Sequence, residues 1–230
     1  MASADDLKRA AARRAATLVT GDTVVGLGTG STVRPLLEAI AERVATGDLA
    51  GLAAVPTSED TSARCRALGI PLTTLDQHPR LALCIDGADE IGPGLALIKG
   101  LGGALLREKI VATAAARYVI IADNSKRVRR LGLRAPLPVE VVPFGWSSHE
   151  AFFRGLGAEP ILRRAPSGEP YRTDSGNYIV DCRFGRGIAD PAALARALDR
   201  RAGVVEHGLF LRMAHQAIVA GPRGIKVLTR

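Results

Sequence analysis

Short apolar runs alternate with helix-length segments through the first half of the chain, and this alternation limits the possible folds more than any other feature. Residues 23–27, 52–55, 81–85 and 118–122 read as strands. Residues 3–20, 32–45, 57–68 and 103–117 read as helices. Ser3 followed by Asp6 is a helix start with acids in its first turn. The run Leu81-Ala82-Leu83-Cys84-Ile85 is continuously apolar, as a strand covered on both faces must be. Strand–helix alternation of this kind builds a parallel sheet.

The pattern changes near Leu131, where a segment rich in proline and glycine begins. Beyond it, 147–156 and 191–200 read as helices and 203–206 as a strand. Residues 171–173 and 177–183 flank the turn Asp174-Ser175-Gly176, which predicts a hairpin. Residues 217–220 and 225–228 read as two strands around a Gly-Pro-Arg-Gly turn, placed to rejoin the first sheet. The expected fold class is α/β: a Rossmann-like parallel-sheet catalytic domain over 1–131 plus 209–230, with a smaller inserted α+β domain over 132–208.

Net charge is +8, from 31 basic and 23 acidic residues. A basic surface attracts phosphates, so nucleic acid must be weighed. Against it, the chain has 5 Phe, 3 Tyr and 1 Trp as stacking platforms. Its arginines also fall in scattered pairs such as Arg129-Arg130 and Arg163-Arg164, so no nucleic-acid partner is expected. Cys65, Cys84 and Cys182 are far apart and form no CxxC, which argues against a zinc knuckle or a redox pair and fits a reducing, cytoplasmic setting. The first residues carry Asp5 and Asp6 and lack a continuous apolar segment, unlike a signal peptide. No apolar run approaches the roughly 18 residues of a membrane span.

Four segments could carry chemistry. Gly26-Leu27-Gly28-Thr29-Gly30-Ser31-Thr32 joins a strand to a helix. It is either a phosphate cradle at a helix N-terminus or a tight turn capped by a hydroxyl. It lacks the Gly-Lys-Ser/Thr of a nucleotide-binding P-loop, and Ser31 replaces the third glycine of a dinucleotide fingerprint. Asp86-Gly87-Ala88-Asp89-Glu90 follows a buried strand, where α/β sheets bind ligands. Its three carboxylates suit a metal, acid–base work or a solvated turn, and no histidine with ligand spacing supports a transition metal.

The third segment is Lys99 to Lys109. Its glycines lead into a nearly apolar helix whose interior charges are Arg107, Glu108 and Lys109. Three consecutive residues fan over about 200°, so at least one charge points inward. Glu108 shares a face with Ala104, Val111, Ala112 and Ala115. A carboxylate there is costly unless it has a task or sits in a structural ion pair. The fourth segment is Asp123-Asn124-Ser125-Lys126, whose lysine either reaches the strand-end cleft or is solvated.

Taken together, GTGST at 28–32, DGADE at 86–90, KGLGGALLREK at 99–109, ADNSK at 122–126, PLPVEVVPF at 136–144, TDSGNYIVD at 173–181 and GVVEHGLF at 203–210 resemble ribose-5-phosphate isomerase, type A. The resemblance spans nearly the whole chain in order. It implies interconversion of D-ribose 5-phosphate and D-ribulose 5-phosphate through an enediolate, in the non-oxidative pentose phosphate pathway. It assigns Glu108 as general base, Asp86 and Asp89 to ring opening and site shape, and Lys99 to charge stabilisation. Thr29, Gly30, Ser31, Thr32, Asp86, Gly87, Ala88, Asp89, Lys99, Gly100, Leu101, Gly102 and Lys126 are implied in substrate binding. Leu101 stands where some members carry glycine or arginine. No metal, no organic cofactor and no membrane partner are implied, and the assembly is expected to be a homodimer or homotetramer.

The chemistry is consistent with those residues. A carboxylate lifts the C2 proton of the open-chain aldehyde and returns it to C1, and an apolar helix face would raise its pKa toward neutrality. The rival readings are an amino-sugar-phosphate deaminase or a CoA transferase, and a sugar-phosphate sensor. A deaminase calls for a catalytic histidine that the four segments lack, and a sensor has no need of an acid, a base and a cation together.

Overall fold

The computed structural model describes residues 3–230. In chain order the elements begin α1 (Ala4–Ala16), β1 (Val24–Leu27), α2 (Arg34–Ala45), β2 (Ala53–Pro56), α3 (Glu59–Ala67) and β3 (Leu83–Gly87). Two short strands follow, β4 (Glu90–Ile91) and β5 (Leu97–Ile98), then α4 (Leu105–Ala114) and β6 (Tyr118–Asp123). The next group is β7 (Leu137–Val141), α5 (His149–Gly155), β8 (Glu159–Leu162), β9 (Tyr178–Arg183), α6 (Pro191–Asp199), β10 (Val204–His207) and β11 (Leu209–Phe210). The chain closes with β12 (Gln216–Gly221) and β13 (Gly224–Thr229).

The chain divides into two compact units. The first holds the residues up to Ala88, then Arg107–Lys126 and Arg212–Arg230. Its six-stranded sheet has the order β13-β12-β6-β3-β1-β2, parallel except for the β12–β13 hairpin. From β1 the chain steps outward to β2, then crosses back to β3 and continues to β6. The order therefore reverses between β1 and β3, and this switch point is where open α/β sheets take ligands.

The two faces of this sheet differ in chemistry. Val25, Leu27, Leu83, Ile85, Val119, Ile121, Ile218 and Ala220 pack with Ala11, Ala12, Ala15 and Ala16 of α1 and Leu36, Leu37 and Ile40 of α2. Alternation sends Gly26, Cys84, Asp86, Tyr118 and Ile120 to the other face, since Gly26 pairs with Cys84, Cys84 with Tyr118 and Asp86 with Ile120. That face receives α4: a Cβ on Gly26 would lie 2.6 Å from the Val111 Cγ1 atom. At the start of the chain, Ser3 and Asp6 form the expected reciprocal cap of α1.

The second unit comprises Asp89–Leu106 and Arg127–Leu211. It contains an antiparallel sheet ordered β10-β7-β9-β8 and a three-stranded sheet ordered β11-β5-β4. Its core gathers Leu137, Val139, Val141, Phe153, Val180, Cys182, Leu194 and Leu198. The turn at Asp174–Gly176 forms, with Gly176 at φ +80° and the Thr173 N–H donating to the Asn177 carbonyl. Residues 171–173 are not a strand, however. The antiparallel neighbours of β9 are β7 and β8, so both of its edges are taken without them.

His149 opens α5, buried and stacked on Phe153 at 5.8 Å. Its Nδ1 accepts from the Arg201 Nε–H at 3.3 Å. Burial, with the Arg201 charge behind it, holds its pKa below the usual 6.5. A histidine with a lowered folded pKa leaves stability intact above 6.5 and withdraws it as pH falls through the folded value. We therefore expect His149→Gln to lose less unfolding temperature than the unaltered protein between about pH 7.5 and about pH 5, as read by thermal melts at each pH. Equal losses would show that His149 protonation has no part in acid sensitivity.

Candidate active site

In the first unit, the glycine turn, Asp86 and the 123–126 segment all lie at the carboxyl ends of parallel strands, β1, β3 and β6. The Gly28 N–H continues the β1–β3 pairing by donating to the Ile85 carbonyl at 2.9 Å. A Cβ at Gly28 would lie 2.0 Å from the Asp86 Oδ1 atom. The close packing of Asp86 on this backbone therefore requires glycine. Asp86 is fully buried, and its Oδ1 accepts from the Gly87 N–H at 2.7 Å and the Thr29 N–H at 3.1 Å.

The rest of the turn faces hydroxyls. Thr29 Oγ1 lies 2.8 Å from the hydroxyls of Thr57 and Ser58, and the Thr61 hydroxyl donates to the Gly28 carbonyl at 2.8 Å. Thr57, Ser58 and Thr61, from the end of β2 and the start of α3, extend the polar lining beyond the residues expected from sequence. Gly30 takes φ +110° and its carbonyl receives the Val33 and Arg34 N–H groups, starting α2. Ser31 is exposed and Thr32 buried. Gly87 is buried and Ala88 half-buried.

Glu108 is the inward charge of α4, at 5% exposure, while Arg107 turns outward to bind Glu59 at 2.7 Å. One turn along, Val111 covers Gly26. Tyr118, fully buried in β6, shares this environment. Burial first, then the charges of Asp86, Cys84 and Glu108, push its hydroxyl far above the ordinary phenol range. Two carboxylates and a protonated phenol thus share the dry face of the sheet that α4 covers. Asp123 is buried and accepts from the Ser125 N–H at 2.8 Å, shaping the turn that ends in half-buried Lys126.

In the second unit, Lys99 follows β5, is 2% exposed, and places its Nζ 5.6 Å from the centre of the Phe210 ring. Its N–H donates to the Gly208 carbonyl at 2.9 Å, and a Cβ on Gly208 would lie 2.2 Å from the Lys99 carbonyl oxygen. Gly100 takes φ +106° to begin the loop. Leu101 and Gly102 are exposed, and the Leu101 N–H donates to Asp89 Oδ2 at 2.9 Å.

Glu90, one of the three carboxylates weighed as metal ligands, has a structural task. Its oxygens accept N–H groups from Gly132 at 2.6 Å, Arg134 at 2.7 Å and Ala135 at 2.8 Å. Elsewhere in this unit Asp199, Glu206 and His207 cluster. His207 Nδ1 accepts the Leu209 N–H, so the neutral ring carries its proton on Nε2, facing Asp199 at 3.1 Å. Both ring nitrogens are engaged, which makes this a clasp between α6 and β10 rather than a ligand set.

Gly28→Ala should destabilise the first unit by about 1–3 kcal/mol, because the new methyl must displace the Asp86 carboxylate. Gly87→Ala should be close to neutral, since a Cβ there meets only the Thr29 carbonyl oxygen at 3.9 Å. Denaturant melts of the two variants test the difference, and equal stabilities would contradict the close packing at Gly28.

Comparison with known proteins identifies the family of the whole chain. The family model described as ribose 5-phosphate isomerase A (phosphoriboisomerase A) matches residues 53–224. Ribose-5-phosphate isomerase A of Synechococcus sp. (strain JA-3-3Ab) is 56% identical over 229 residues, covering 99% of each chain. That of Roseiflexus castenholzii is 58% identical over 218 residues, covering 95% of this chain and 93% of its own. Among solved structures, a D-ribose-5-phosphate isomerase in complex with phospho-erythronic acid superposes with a TM-score of 0.96 at 34% identity, covering 100% of both chains. Ribose 5-phosphate isomerase from Plasmodium falciparum superposes with a TM-score of 0.95 at 38% identity, covering 98% of this chain and 99% of its own.

Proposed function

The chain belongs to the ribose 5-phosphate isomerase A family and interconverts D-ribose 5-phosphate and D-ribulose 5-phosphate, and we propose that Glu108 is the base that carries the proton. The observation that most supports this role is a carboxylate at 5% exposure on the apolar face of α4. Such a group costs folding free energy, so a chemical task accounts for its presence.

The reaction moves one proton between C2 and C1 of the open-chain sugar. Glu108 removes the C2 proton, and the resulting enediolate carries negative charge on oxygen. Lys99 supplies the positive charge that stabilises that oxygen. Asp86 and Asp89 exchange protons with the sugar hydroxyls during ring opening. Thr29, Gly30, Ser31, Thr32, Gly87, Ala88, Gly100, Leu101, Gly102 and Lys126 hold the remainder of the substrate, so that phosphate binding far from the reacting carbons helps lower the barrier. The basic balance of the chain, +8, favours capture of a phosphorylated substrate.

Glu108→Gln should lower kcat by about 10²–10⁴ and leave binding of the substrate largely intact. Proton NMR of ribose 5-phosphate with the protein in deuterated water measures it. The unaltered protein should produce ribulose 5-phosphate with deuterium at the reacting carbon. Near-normal turnover by the variant would remove Glu108 from the mechanism.

The same reading gives a cytoplasmic homodimer or homotetramer. Among the described residues no helix is long and apolar enough to cross a membrane. Phe144, at 93% exposure, is a large apolar side chain that a second copy would shelter. Sedimentation velocity should return two or four times the chain mass, and a monomer at micromolar concentration would refute this assembly.

A further inference from the structure

We propose that Arg163, which lies outside every segment assigned to substrate, is a positioning residue that sets the conformation of the 99–102 loop. This rests on the reading that the loop carries Lys99 and substrate contacts. Arg163 follows β8, with its N–H bonded to the Ile179 carbonyl of β9 at 2.8 Å. Its guanidinium lies 2.9 Å and 2.5 Å from the two carboxylate oxygens of Asp181, through Nε and Nη2. The side chains are 13% and 19% exposed, so this is a largely buried two-point ion pair that fixes the plane of the guanidinium.

The remaining nitrogen acts on the loop. Nη1 donates to the Gly100 carbonyl at 3.0 Å and to the Leu101 carbonyl at 3.0 Å. In a planar trans peptide the C=O and the following N–H point in opposite directions. Drawing the Gly100 carbonyl toward Arg163 therefore aims the Leu101 N–H the other way, where it meets Asp89 Oδ2 at 2.9 Å. Drawing the Leu101 carbonyl inward likewise turns the Gly102 N–H away from Arg163. Arg163 and Asp89 thus grip one peptide unit from opposite sides, and the next amide, the Gly102 N–H, is presented as a donor for an oxygen of a sugar phosphate. The position is reinforced by Tyr171, whose ring centre lies 5.7 Å from the guanidinium and whose hydroxyl occupies the space a Cβ on Gly103 would need.

A lysine can keep the charge opposite Asp181 but cannot make a two-point pair and bridge two carbonyls at once. Arg163→Lys is therefore expected to stay folded and to lower kcat/KM about 10- to 100-fold, with KM raised as well as kcat reduced. Hydrogen exchange at the amides of residues 100–103, followed by mass spectrometry, should accelerate in the same variant. Asp181→Asn, which leaves both carbonyl bonds in place but weakens their anchor, should shift the same readouts less, and it serves if Arg163→Lys does not fold. Wild-type constants and wild-type exchange in a folded variant would overturn the proposal. So would a loss of activity that disappears once rates are expressed per folded molecule. If the unaltered protein does not isomerise ribose 5-phosphate, the functional reading fails instead, and loop exchange alone still tests the role of Arg163.

Discussion

A carboxylate without exposure to water persists in a protein only where hydrogen-bond donors replace the solvent, and the first unit is arranged around that requirement at Asp86. Its Oδ1 takes the N–H groups of Thr29 and Gly87. Meeting this demand forces a glycine at position 28, places the turn after β1 against the end of β3, and lines the crevice between those strands with amides. The phenol of Tyr118, kept protonated by its surroundings, joins the same polar island in an otherwise apolar face. The switch point of the sheet is thus a chemical necessity as well as a topological one, since it is where amides from two chain segments converge on one side chain.

The second unit handles buried charge by the same rule. Glu90 is surrounded by three amides from the 132–135 segment, and Glu140 accepts from the Thr173 hydroxyl and the Asn177 side-chain amide, each at 2.9 Å. Arg163 inverts the pattern, with a half-buried cation gathering one carboxylate and two carbonyls. In each case the ionised group organises loops that have no regular hydrogen-bond ladder of their own.

Much of this was legible in the sequence, because it depends on local rules. The strand–helix alternation identified β1, β2, β3 and β6 to within about two residues. Helical periodicity alone showed that one of Arg107, Glu108 and Lys109 must point inward, and Glu108 does. What escaped was whatever depends on partners distant in the chain. The strands β4, β5 and β11 have two residues each, too few for a period to register. The hydroxyls of Thr57, Ser58 and Thr61 meet Thr29 from about thirty positions away, with no motif to mark them. Arg163 read as half of a surface arginine pair, because its contacts with 100, 101 and 181 exist only in the folded unit. Glu90 read as one more acid of an acidic cluster, since nothing nearby announces the amides of 132–135. Residues 171–173 carried the pattern of a hairpin arm, but β9 takes both of its neighbours from elsewhere.

The contrast between the two faces of the six-stranded sheet has a consequence for how such a molecule can change over time. On the face toward α1 and α2, every strand residue in contact is aliphatic, and one aliphatic side chain can give way to another of similar volume at modest cost. On the face toward α4, glycine, cysteine, aspartate and tyrosine stand where size, charge or a hydroxyl is specified by a neighbour. Random substitution is therefore filtered unequally. One side of the sheet can drift through alternative packings and accumulate adjustments to temperature or expression, while the other admits few single steps. The fold keeps its evolvability and its chemistry on opposite sides of one layer of strands.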